Sequence, residues 1–261
     1  MKILKNIAIF FWRMWFYGWV LFTIIPIFPI LLILLSREKW YPVFFKIAAA
    51  WAKTILFVMG FRIEIDGFEK IDPLKSYVFC PNHTSMLDIM LMFAVPKNPF
   101  VFVGKKELKK IPVFGYIFKK SSILVDRKDS ESGRQAFKDA NRKLKNGTSV
   151  CIFPEGKVPT DLSIVLDSFK SGAFRMAIEH NIEIVPITFY DCKKRFSYTF
   201  FSGSPGKLRV KIHDSIKTDG LTLSDRNGIK KQTFDVIHKS LLLDIENKKI
   251  NIRYKINVAV I

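Results

Sequence analysis

Apolar and polar positions divide this chain into two unlike parts near residue 60. From Phe61 onward, short apolar runs of strand length alternate with longer stretches of helical period. Strands are expected at 61–65, 77–80, 100–103, 122–125, 149–153, 182–189 and 207–212. Helices are expected at 85–95, 131–145 and 170–180. Phe61 to Ile65 alternates as an edge strand does, and Asp66-Gly67 marks a turn. This order predicts an α/β fold with a mostly parallel sheet flanked by helices, whose ligands gather at the carboxyl ends of the strands. Leu223 to Asn247 reads as a closing amphipathic helix with Phe234, Ile237, Leu241 and Ile245 on one side. The tail from Ile250 to Ile261 either adds a strand or trails.

The first part has a different pattern. Met14 to Ser36 carries no charge and is long enough to cross a bilayer as a helix. Pro26 and Pro29 are expected to interrupt that helix, and no small-residue cleavage site follows it. Trp40 to Phe61 is apolar except for Lys46 and Lys53, which lie two turns apart and share one helical face. Every tryptophan falls between Trp12 and Trp51, as an aromatic belt requires. Residues 1–60 are therefore read as a two-helix membrane anchor, spanning or monotopic, and 61–261 as the α/β domain. The alternative is an N-terminal hairpin packed on the protein's own core.

Charge strengthens the membrane reading. The 261 residues include 42 Lys plus Arg against 23 Asp plus Glu, a net charge of +19 that favours an anionic partner. The 25 phenylalanines weigh toward an anionic membrane surface. Nucleic acid is not expected, because no recognition helix or aromatic RNA motif is evident. Cys80, Cys151 and Cys192 are odd in number and lack zinc or redox spacing, which fits a reducing compartment.

Candidate chemistry centres on Pro81-Asn82-His83-Thr84-Ser85-Met86-Leu87-Asp88, a polar turn between a strand and a helix. An imidazole oriented by a carboxylate can take a proton from an alcohol. The same letters also fit a capping box, with Ser85 as N-cap and Asp88 closing the first turn. Further polar stretches sit at predicted strand ends. Lys105 and Lys106 in Gly104-Lys105-Lys106-Glu107-Leu108 can steer an anion. Arg127, after Asp126, can hold a phosphate with its fork of donors, or form a local ion pair. Phe153-Pro154-Glu155-Gly156-Lys157 holds a carboxylate between a rigid and a permissive residue.

Together these stretches resemble the glycerolipid acyltransferases that include 1-acylglycerol-3-phosphate acyltransferase. The N-H-x-x-x-x-D block is matched by Asn82, His83 and Asp88, and the second block's arginine by Arg127. The F-P-E-G block is matched at Phe153 to Gly156, and a proline-containing apolar block at Val185-Pro186-Ile187. The G-K-K-E-L, I-P-V-F-G and F-K-S-G-A-F stretches are similar too, so the likeness spans roughly residues 61–215. One departure stands out: Lys157-Val158-Pro159 replaces the threonine, arginine and serine with which the third block often continues.

The resemblance implies acyl transfer from a thioester of acyl carrier protein or coenzyme A to a lysophospholipid hydroxyl at the cytoplasmic face of the inner membrane. His83 is then the general base and Asp88 its orienting partner. Asn82, Lys105, Lys106, Arg127, Glu155, Gly156 and Lys157 are the expected substrate-binding residues. No metal or bound cofactor is called for. Because of the departure, either Lys157, Lys105 or Lys106 supplies the missing charge, or the acceptor is another lysolipid such as a lyso-aminolipid. A covalent route through Cys80 or Ser85 and a non-catalytic basic membrane-binding protein are the competing readings.

Overall fold

The computed structural model describes residues 2–111, 114–126, 129–159, 161 and 163–258. The strands are β1 (Phe61–Asp66), β2 (Val78–Pro81), β3 (Phe100–Lys105), β4 (Ser122–Val125), β5 (Ser149–Cys151), β6 (Ile184–Phe189) and β7 (Gly206–Ile212). They form one sheet in the order β1-β7-β6-β2-β5-β3-β4. Neighbours from β6 through to β4 are parallel. β7 runs antiparallel to β6 and carries β1 as a parallel partner at the edge. The fold is thus α/β with a mostly parallel sheet flanked by helices. β2 and β6, buried on both faces, are continuous apolar runs, as interior parallel strands must be.

The helices are α1 (Lys2–Leu34), α2 (Tyr41–Val58), α3 (Leu87–Ala94), α4 (Phe114–Ser121), α5 (Ser130–Lys145), α6 (Gly172–His180), α7 (Cys192–Arg195) and α8 (Arg226–Val258). α1 is continuous through Pro26 and Pro29, contrary to the expected break. A proline-containing helix survives when packing along its buried stripe outweighs the local penalty of roughly 3 kcal/mol. Here Ile24 and Leu31, on either side of the prolines, are buried. Nearby, Trp51 Nε1 donates to Thr23 Oγ1 at 2.8 Å, tying α2 to α1.

Both N-terminal helices pack one side against the domain and expose the other. Ile9, Arg13, Phe16, Val20, Ile24 and Leu31 form the buried stripe of α1 at helical spacing. Phe16, Phe45, Ile55 and Leu56 join one core cluster with Phe79, Leu87 and Phe100 of the sheet domain. Tyr41 Oη donates to Phe100 O at 2.7 Å, fixing the start of α2 to β3. Lys46 and Lys53 lie exposed on the opposite side of α2, and so does the apolar Phe57. By length and composition α1 and the segment Glu38–Val58 can cross a membrane, and the apolar surface they expose associates with it.

At the other end, the tail through Val258 continues α8 instead of adding a strand. The buried stripe of α8 is Ile229, Thr233, Ile237 and Leu241, whereas Ile245 is exposed and Phe234 only partly covered.

Candidate active site

The carboxyl ends of four adjacent parallel strands, β2, β5, β3 and β4, present the four polar stretches side by side. The histidine turn leaves β2, Phe153 to Gly156 follows β5, Lys105 closes β3, and Asp126 follows β4. Lys105 lies in register with Val125, so the lysine pair sits beside the exit of β4. Arg127 lies outside the described residues.

The turn after β2 is held from several sides. Asn82 is buried, and its Oδ1 accepts from the main-chain N–H of Phe189 at 2.7 Å. Its Nδ2 donates to the carbonyl of the same residue at 3.1 Å. Asn82 is expected from the sequence to bind substrate; in the structure its amide staples the turn to the end of β6. A buried main-chain pair needs such partners, and a short amide supplies both.

His83 follows directly. Its Nδ1 lies 2.9 Å from Asp88 Oδ2, and its side chain is only partly covered. That oxygen also accepts the main-chain N–H groups of Thr84 and Ser85. Asp88 is 0% exposed, so these donors stand in for the water it has lost. One carboxylate therefore satisfies the capping reading and the orienting reading together, because the first turn of α3 and the imidazole converge on the same oxygen. With Nδ1 committed to Asp88, Nε2 is the nitrogen left for a substrate. Ser85 Oγ donates to Phe196 O and accepts from the Leu87 N–H, which places it in the scaffold.

The third block closes over this turn. Phe153 stacks on the His83 ring with centroids 4.1 Å apart and planes 20° from parallel. Glu155, 2% exposed, accepts the main-chain N–H of His83 at 2.6 Å through Oε1 and that of Asp167 at 3.2 Å through Oε2. Burial raises its carboxyl to about 7, against the lowering pull of those two donors. Glu155 thus supports the histidine from behind; both oxygens face the chain itself. Gly156 makes the turn possible, with φ at +78°, a conformation that a side chain resists.

The lysines behave differently. Lys105, Lys106 and Lys157 are all exposed, and Lys106 is 4.0 Å from Asp126. They form an exposed cationic fringe at the carboxyl ends of β3 and β5 rather than a fixed cradle. Cys80 and Cys192 are buried thiols; burial pushes both up, and the Asp88 carboxylate beside Cys192 pushes that one further. Sequence reasoning missed the ring-on-ring role of Phe153 and the main-chain partners at Phe189, Phe196 and Asp167. Only Phe153 left a signal, as the first letter of its motif.

Comparison with known proteins places these features in context. A family model described as Acyltransferase matches residues 62–190. The chain is 30% identical to the mouse 1-acyl-sn-glycerol-3-phosphate acyltransferase alpha over 84% of its own length and 76% of that protein. It is 33% identical to a chloroplastic 1-acyl-sn-glycerol-3-phosphate acyltransferase of Arabidopsis thaliana over 70% of its own length and 52% of that one. The crystal structure of the 1-acyl-sn-glycerophosphate acyltransferase from Thermotoga maritima superposes with a TM-score of 0.72 at 21% identity, covering 92% of this chain and 96% of that one.

Proposed function

The chain belongs to the glycerolipid acyltransferase family, and from that premise we propose that it acylates the free hydroxyl of 1-acylglycerol 3-phosphate to give phosphatidic acid. The donor is the thioester of acyl carrier protein or coenzyme A, and the setting is the cytoplasmic face of the inner membrane. The observation that carries this reading is the His83–Asp88 pair at 2.9 Å, with the second ring nitrogen left for a substrate.

In this mechanism His83 Nε2 takes the proton of the acceptor hydroxyl as its oxygen attacks the thioester carbonyl. Asp88 holds the ring and stabilises its charged form. The tetrahedral intermediate collapses, the C–S bond breaks, and His83 returns the proton to the departing sulfur. General-base assistance of this kind is worth roughly 10²–10⁴ in rate, and holding both substrates at the bilayer supplies much of the rest. The reacting atoms belong to the two substrates, so the chemistry calls for no metal or bound cofactor. Arg127 holds the acceptor phosphate, helped by Lys105, Lys106 and Lys157, while Glu155 and Gly156 shape the site by fixing the histidine turn.

Val158 stands where the family often has an arginine, with the exposed Lys157 beside it, and this departure favours a second reading in which the acceptor is a lyso-aminolipid. The test is mass spectrometry of lipids formed by the purified protein from mixed thioester donors and a panel of lysolipids. Phosphatidic acid formed with stoichiometric thiol release is the expected result. Product only from lyso-aminolipids overturns the acceptor assignment. Thiol release that ignores the acceptor overturns acyl transfer.

A further inference from the structure

A second apolar feature lies beside the amino-terminal turns of α1. Tyr198 and Phe201, on the loop after α7, are 59% and 54% exposed. Phe201 joins Ile3, Ile7, Phe10 and Phe11 of α1 around an apolar groove of about 290 Å³. Phe200, between them, meets Phe10 with ring centroids 6.1 Å apart.

This loop is held in place by a buried cation. Arg13 of α1 is 2% exposed, and its Nη2 donates to Ser197 O, Thr199 O and Ser202 O at 2.7, 3.1 and 2.9 Å. The same guanidinium lies 4.4 Å from the centre of the Phe196 ring. Three carbonyls on one nitrogen fix the loop's path, and that path directs its aromatic side chains outward instead of into the core. An exposed aromatic cluster with a dedicated internal brace is a poor way to face water.

Charge indicates what covers it. No acidic residue occurs from Lys2 to Arg37 or from Cys192 to Ile212, whereas Lys2, Lys5 and Lys194 on these same two segments are exposed. Exposed aromatic side chains on segments whose charges are all basic match the boundary between acyl chains and anionic headgroups. The patch is also continuous with the exposed apolar side of α1.

We infer that the Ser197–Ser202 loop is a second lipid-contacting element, whose Tyr198 and Phe201 enter an anionic bilayer alongside the first turns of α1. Phe196 O, at the root of the loop, accepts from Ser85 Oγ in the histidine turn, so lipid contact sits one residue away from the proposed catalytic scaffold. The inference rests on the membrane association of α1 and α2.

The three cysteines of the chain are buried, so a Phe201→Cys variant can be labelled selectively with an environment-sensitive dye. The labelled full chain is mixed with phosphatidylcholine vesicles containing phosphatidylglycerol, and flotation is followed together with emission. A blue shift that spin-labelled lipid quenches, in protein that floats with the vesicles, is the expected result. Floating protein whose dye keeps its aqueous spectrum overturns the inference while leaving the membrane reading of α1 intact. Protein that does not float overturns both. A blue shift that grows with protein concentration without vesicles assigns the patch to a second copy of the chain and also overturns it. Independently, replacing Tyr198 and Phe201 together by serine should weaken vesicle partitioning about tenfold; unchanged partitioning counts against the loop.

Discussion

Glu155 Oε1 accepts the main-chain N–H of His83 at 2.6 Å, so the carboxylate of one motif positions the histidine of another. Its other oxygen holds the Asp167 N–H. The stretch after Gly156 and the turn after β2 are therefore joined through a single buried side chain. This is a positioning role, and it makes Glu155 visible in stability as well as in rate.

Burial lifts the Glu155 carboxyl from an ordinary 4.5 to about 7. The folded protein then keeps a proton that the unfolded chain releases between those values. The stabilising contribution is complete below about 4.5 and is lost as pH rises through about 7. Glu155→Gln carries no such titration. Relative to this variant, the wild-type protein should lose roughly 3 kcal/mol of stability between pH 4.5 and pH 8. Thermal melts of both proteins across that range check the prediction, and parallel curves would refute it.

Asp88→Asn keeps the shape of the side chain and removes its charge. One amide oxygen can still receive the Thr84 and Ser85 N–H groups, but it stabilises a protonated imidazole far less. The expected loss in kcat/KM is about 10²- to 10⁴-fold with helical content unchanged. A variant that retains near-normal rates would reduce Asp88 to a helix cap.

Thiol chemistry is expected to be silent. Cys80, Cys151 and Cys192 are buried, and burial raises each thiol above its ordinary value. A thiolate is the reactive form, and it is scarce here at neutral pH. Native protein treated with iodoacetamide should keep its activity, and Cys80→Ala should keep its rate. Intact-mass spectra during turnover should show no acyl adduct; an adduct on Cys80 would revive the covalent route.

Much of this arrangement was legible from the chain alone, and the exceptions have physical causes. Strand β4 occupies the expected residues 122–125 because an apolar run between charged stretches has few other outcomes. The His83–Asp88 pair was legible because its members are close in sequence. By contrast, the partner of Asn82 is Phe189, brought in by the β2–β6 pairing, and no local pattern encodes that meeting. Helix α4 escaped notice because its amphipathic pattern is short and ends in Lys119 and Lys120. The prolines of α1 misled for the opposite reason, since local propensity was outweighed by packing against α2 and the sheet domain.

The Phe153 ring lies parallel to His83 and is itself backed by Phe102, with centroids 5.9 Å apart and planes 11° from parallel. Asp88 fixes one ring nitrogen, and the stack fixes the plane in which the other is presented. Phe153→Ala should therefore lower kcat about two- to tenfold, from the roughly 0.5–1.5 kcal/mol of such contacts, with little change in KM. Unaltered kcat would mean that the hydrogen bond alone orients the ring.

Asn82 gives the sharpest separation between structural and binding roles. Asn82→Ala leaves the buried N–H and carbonyl of Phe189 without their partners. Each orphaned group costs about 1–3 kcal/mol, so a loss of roughly 2–6 kcal/mol is expected. Asn82→Asp should also be destabilised, since a carboxylate would then face the Phe189 carbonyl. At temperatures where the alanine variant remains folded, its KM for the acceptor should match the wild type. A raised KM with an unchanged melting temperature would instead return Asn82 to the substrate-binding set, so melting curves and acceptor titrations should be run on the same preparations.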